Sequence, residues 1–310
     1  MKRIFSLLLC VAMLLSLAAC GGSEEPAPTA PAVVATEPPQ TVPPTEAPTE
    51  APTEPPVQVA APSIIQLIDN DDVTVLITDI ENNEHLGMQL RIQCVNKTDR
   101  ALMFSWDMVS VCGYMYDPMW AEEVAPGKTV NSTIDLDTYA LEKMGIISVD
   151  EITFTLRVFD SENWMEQPLV QDVFTIYPTG LTAETARFPA RDVENGVVVA
   201  EDDNIRFVIE WADAEDADAF TVYVYMENKT DRNLMYSWDM VSINDMMVDP
   251  FWATVVAAGK KACSEITFYR SELSDNGITD ITNVEFTLLV SDYDDWEGGN
   301  LLETTFVYNP

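Results

Sequence analysis

A chain of 310 residues with 52 acidic against 16 basic side chains carries a formal charge of −36 at neutral pH. Such a field excludes nucleic acid as a partner and repels anionic polymers that cations do not bridge. A single histidine, His85, leaves almost no material for imidazole acid–base or triad chemistry.

From the N-terminus, Lys2 and Arg3 precede the apolar run Ile4 to Leu17, and small residues follow at Ala18 and Ala19. Charged, apolar and small-residue regions in that order read as an export signal over residues 1–20, too short to be a spanning helix. The run L-A-A-C that ends at Cys20 resembles the lipobox of bacterial lipoproteins. That resemblance implies a diacylglyceryl-modified Cys20 as the first mature residue, with two or three acyl chains holding the protein at the outer face of a cell membrane. A plain secretory signal with a chance cysteine is the alternative. Residues 21–62 then turn to Pro, Thr, Glu and Ala, with T-E-A-P-T-E-A-P-T-E-P-P from Thr45 to Pro56. Proline blocks helix and sheet pairing and the glutamates repel, so this segment is expected to be a disordered tether. In polyproline form its reach is on the order of 100 Å.

Residues 63–178 and 195–310 superpose in sequence with a constant offset of 132 and no gap. N-K-T-D-R at Asn96 to Arg100 returns at Asn228 to Arg232, and S-W-D-M-V-S at Ser105 returns at Ser237. Trp106, Trp120 and Trp164 meet Trp238, Trp252 and Trp296, and Gly127-Lys128 meets Gly259-Lys260. Copies of this size suit two independent domains joined by a connector at 179–194. Their charge, 20 acids against 6 bases and 23 against 6, belongs to the domains and not only to the tether.

Within each copy the apolar residues alternate, as at Val73, Val75 and Ile77, or Phe286, Leu288 and Val290, with turn-forming stretches between the runs. Short helices are expected around Leu141 and Leu273, stopping at Gly145 and Gly277. The pattern predicts an all-β protein, two tandem antiparallel β-sandwiches. N-K-T-D-R, the P-G-K turn at Pro126 to Lys128 and the closing F-T-L-R-V at Phe154 to Val158 resemble the immunoglobulin-like domains of uncharacterised lipoproteins from Gram-positive bacteria. The resemblance implies fold and location, and no activity.

Candidate sites are few. After Cys10 and Cys20, the cysteines are Cys94, Cys112 and Cys263, without zinc spacing; export permits a Cys94–Cys112 disulfide, and buried free thiols are the alternative. Calcium is a weak candidate at two acidic runs, Asp213, Asp216 and Asp218, and Asp292, Asp294 and Asp295, neither in the order of a known calcium loop. Solvated loops are the simpler account. Strict alternation would put Trp106, Met108 and Ser110 on one strand face and Asp107, Val109 and Val111 on the other. Either face could be core. A binding face of Trp106, Met108, Trp120, Trp238, Met240 and Trp252 follows if the valines point inward, and ordinary core packing follows if they do not.

Two functions fit these features: a non-enzymatic surface module that binds a surface protein or carbohydrate or acts as a spacer, which calcium could stiffen into a stalk, and a surface hydrolase using a carboxylate pair. Membrane contact is expected through the lipid anchor alone. Replacing Cys20→Ala is expected to release the protein from the membrane fraction and abolish lipid labelling. A variant that stays membrane-bound and labelled would overturn the lipobox assignment.

Overall fold

The computed structural model describes residues 64–83 and 87–310; the signal sequence, Cys20, the tether and His85 lie outside them. The described residues belong to one compact unit. The first copy holds β1 (Ile65–Asp69), β2 (Val73–Asn83), β3 (Gly87–Asn96), β4 (Leu102–Val111), β5 (Tyr114–Met115), β6 (Ala121–Val124), β7 (Thr129–Leu136), α1 (Thr138–Lys143), β8 (Ile152–Asp160) and β9 (Val170–Ile176). The second repeats the series as β10 (Val197–Glu201), β11 (Ile205–Asp213), β12 (Ala219–Asn228), β13 (Leu234–Ile243), β14 (Met246–Met247), β15 (Ala253–Val256), β16 (Lys261–Tyr269), α2 (Arg270–Asp275), β17 (Val284–Asp292) and β18 (Asn300–Tyr308).

In the first copy β1, β2, β3 and β7 form one sheet, while β4 pairs with β5, β6 and β8, and β8 with β9, in the other. The chain changes sheets after β3, after β6 and after β7, the Greek-key path of an antiparallel immunoglobulin-like sandwich. The second copy has the same order, β10-β11-β12-β16 facing β13, β14, β15, β17 and β18. The alternating residues fill the space between the sheets: Val75, Ile92, Phe104 and Leu156 in one core, Phe207, Val224, Tyr236 and Leu288 in the other. Both helices stop at the expected glycines, Gly145 with φ of 78° and Gly277 with φ of 75°, where a side chain would strain the backbone.

Strict alternation fails in β4 and β13. The register shifts between Asp107 and Ser110, and again between Asp239 and Ser242, with Met108 and Met240 at φ near 50°. The bulge inserts one residue, so Trp106, Val109 and Val111 all turn inward, as do Trp238, Val241 and Ile243. The exposed stripe of Trp106, Trp120 and Trp238 is therefore absent: all three indoles are buried, and Trp252 is half-buried. Trp106 lies flat on Phe154 at 3.6 Å and edge-on to Trp120, as Trp238 lies on Phe286 at 3.8 Å and edge-on to Trp252. Met240 alone of the expected face is well exposed.

The N-K-T-D-R motif closes each sandwich. Asn96 is fully buried; its Nδ2 donates to the carbonyls of Arg100, Val124 and Ala125, and its Oδ1 accepts from Thr98 N and Oγ1. Asn228 makes the same five bonds, to Arg232, Val256, Ala257 and Thr230. Lys97 ties the first hairpin through Asp69, and Arg100 reaches Asp160 at 3.2 Å, matched by Arg232 on Asp292 at 3.1 Å. One buried amide thus joins the turn before β4 to the loop after β6.

The two copies meet where the edge strands β5 and β16 join a sheet of each into one. Lys261 of β16 pairs in parallel with Tyr114 of β5, and Lys261 N donates to Gly113 O at 2.9 Å. Val208 and Tyr225, on the outer face of the second copy, belong to the hydrophobic cluster of the first, while Met115 packs into the second. The connector has no strand but is docked. Arg187 holds the buried Asp150 through its Nε at 2.7 Å, Tyr114 Oη donates to Pro189 O, and Arg191 binds both oxygens of Glu210 in the second copy and the Lys143 carbonyl in the first. Lys260–Glu151 and Lys143–Glu265 add two ion pairs across the seam.

Asn96→Ala removes five hydrogen bonds from a fully buried position, and the expected loss of stability is about 3 kcal/mol. Urea denaturation checks this as a lowered midpoint, with Asn228→Ala showing a loss of the same order. A midpoint unchanged in both variants would remove the amide from its structural role.

Candidate functional site

The seam leaves a groove on each side, and Cys263 lines both. Burial pushes the Cys263 thiol up to about 12, so it stays protonated and is no nucleophile at neutral pH. Cys94 and Cys112 are also free and buried, and burial likewise raises both thiols, Cys94 to about 12.

One groove, about 760 Å³, holds Asp107, Met108, Asp117, Arg157, Tyr293 and Asp294 above the buried Trp106. Its carboxylates are already engaged. Asp107 accepts from Ser105 Oγ and faces Arg157 at 3.9 Å, Asp117 accepts from Met119 N, and Asp294 accepts from Asn233 Nδ2. The indole N–H groups of Trp106 and Trp238 lack a hydrogen-bond partner in both copies, each beside a perpendicular tryptophan ring. That repetition marks a feature of the sandwich rather than of this groove.

The other groove, about 670 Å³, is lined by aromatic side chains. Trp211 of β11 sits opposite Tyr223 of β12 in the ladder, and the two rings stack at 3.9 Å and 10°. Half of the Trp211 surface, 50%, stays exposed. Across the groove Tyr139 of α1 is exposed, with Lys143 Nζ 4.8 Å above its ring and 2.9 Å from Glu265 Oε1. The bond from Glu265 raises the Lys143 pKa and keeps the ammonium charged. The groove thus offers a flat aromatic wall and a rim with both signs of charge, fixed by the strand pairing and by the connector that lays α1 against β16.

Trp211 is not among the tryptophans matched between the copies. Its signal was its lack of a partner: of seven tryptophans six pair under the 132-residue offset, whereas Trp211 meets Asp79 and Tyr223 meets Arg91. Trp164, by contrast, is an exposed loop residue, and Met108 is half-buried at the rim of the first groove.

The calcium candidates cap their own loops. Asp213 Oδ1 accepts from the backbone of Glu215 and Asp216, and Asp216 Oδ1 from Asp218 and Ala219. Asp292 is held by Arg232 and caps Asp294, and the Asp295 carbonyl closes the turn onto Gly298. Among the described residues no group of three or more His, Cys, Asp or Glu side chains is placed to hold a metal ion. Nor is any helix among them long and apolar enough to cross a membrane.

No family model and no curated protein matches the chain. Among solved structures, the exo-chitosanase of Amycolatopsis orientalis aligns with 74% of this chain and 26% of its own at 10% identity and a TM-score of 0.22. A β-D-mannosidase from Dictyoglomus thermophilum aligns with 72% of this chain and 22% of its own at 11% identity and a TM-score of 0.22. A protein of unknown function from Porphyromonas gingivalis W83 is covered over its whole length by 80% of this chain, at 11% identity and a TM-score of 0.21. The chain thus spans about a quarter of the length of the two glycosidases, and likeness at this level transfers no activity.

Proposed function

We propose that this chain is a non-enzymatic binding module, held at the extracellular face of the membrane through Cys20, whose aromatic groove takes a carbohydrate. The observation that carries the reading is the half-exposed Trp211 stacked on Tyr223. An indole braced against a second ring is costly to leave in water, and its flat face matches the C–H face of a pyranose. Glu265, Lys143 and Ser264 at the same groove supply acceptors and donors for sugar hydroxyls.

The test is calorimetric titration of the lipid-free chain, residues 21–310, with a panel of soluble cell-wall glycans. A ligand is expected whose affinity falls about tenfold or more in Trp211→Ala, with the urea midpoint preserved. A ligand indifferent to Trp211→Ala would remove the groove from the function. Release of reducing ends during the titration would place the hydrolase reading ahead.

A further inference from the structure

The copies use the same end of the sandwich differently. In the first, Tyr114 is buried and Met115 half-buried, because β5 lies on the sheet edge of the second copy. The surface it meets there combines the apolar Val208 and Tyr225 with two lysines: Lys260 pairs with Glu151 at 3.3 Å, and Lys261 Nζ lies 5.6 Å from the Tyr114 ring. In the second copy the corresponding strand is Met246–Met247, exposed at 45% and 59%. The pairing of Ser242 with Met247 and the bond from Val248 N to Val241 O hold β14 and the start of the following loop against β13 next to Met240, 64% exposed, and Phe251 in that loop is 95% exposed. Four large apolar side chains therefore stand in water; Met246 and Met247 match Tyr114 and Met115, which the seam covers in the first copy, and Phe251 matches Met119, which the seam leaves exposed.

Their surroundings are acidic. Asp239, Asp245 and Asp249 are exposed between these residues, and the sequence has no lysine or arginine from Asn233 to Gly259. Such an end repels an anionic membrane and complements a cationic one. A second copy of this chain is a poor occupant: its free sheet edge, β7, offers Thr129 where β16 has Lys261, and the adjoining face offers Gln93 and Asn131 where the second copy has Tyr225 and Cys263.

The geometry points to the β14 end of the second copy as a docking surface for a partner protein that presents an apolar face bordered by lysine or arginine. This is the chemistry that the second copy itself presents to the first. Unbranched methionines adapt to such a face, and Phe251 supplies the anchor. The surface lies on loops outside the aromatic groove and does not depend on the carbohydrate reading.

The test uses the lipid-free chain, residues 21–310, labelled at methionine methyl groups, and two synthetic amphipathic peptides, one of Lys and Leu and one of Glu and Leu. The Lys/Leu peptide is expected to shift the methyl signals of Met240, Met246 and Met247, with affinity that weakens in added salt and falls about tenfold in the double variant Met247→Ser, Phe251→Ser. Met119→Ser, at the corresponding loop of the first copy, is expected to leave that affinity unchanged. The substituted side chains are all largely in water, so the fold tolerates them. Overturning results are equal binding of the Glu/Leu peptide, Lys/Leu binding that is insensitive to the double variant, or sedimentation showing that the unliganded chain self-associates through these residues.

Discussion

The burial of Tyr225 and Val208 against the first copy is the interaction on which the arrangement of the molecule rests. On an isolated sandwich both side chains would stand on the solvent face of a sheet, since their neighbours Val224 and Phe207 already point into the second core. Covering a tyrosine and a valine is worth several kcal/mol, and that gain is available only if β5 and the connector lie across β16. The polar contacts then fix the pose. Arg191 on Glu210 and Lys260 on Glu151 place charges where water is scarce, and removing one partner would strand the other. Both grooves, and the approach of α1 to Trp211, follow from this one contact.

Duplication supplied the scaffold and divergence at the outer faces gave each copy its role. Where the second copy has Tyr225, Cys263 and Trp211, the first has Gln93, Asn131 and Asp79, as befits a sheet that faces solvent. Where the first copy has Gly113, Tyr114 and Glu151 to dock, the second has Asp245, Met246 and Asn283. The shared residues include the buried asparagine that closes each sandwich, the tryptophan pairs Trp106–Trp120 and Trp238–Trp252, and the bulge at Met108 and Met240. At the seam itself, difference between the copies marks which surface docks and which faces water.

This division explains what could be read from the residues alone. Alternation at Val73, Val75 and Ile77 reports a half-buried strand directly, and glycines after Leu141 and Leu273 report helix ends, so the all-β sandwich was legible. N-K-T-D-R was legible as a turn, but the five bonds of Asn96 depend on a loop 28 residues further on, which no local pattern contains. Alternation misled in S-W-D-M-V-S because a bulge adds a residue without leaving a mark in composition. The docked connector and Trp211 were hidden for a related reason. Arg187 and Arg191 find their partners only across the tertiary fold, and attention to matched residues passes over a tryptophan that has no match.

Two copies of one sandwich in a single chain invite exchange, with a strand of one closing the other. The faces at the seam discriminate against it. If β3 took the place of β12, Gln93 would be pressed against the hydrophobic cluster of the first copy without a partner, and Tyr225 would be left on an open sheet face in water. The misassembled chain would lose the seam while keeping both cores, which turns the contact between the copies into a check that each strand has gone home.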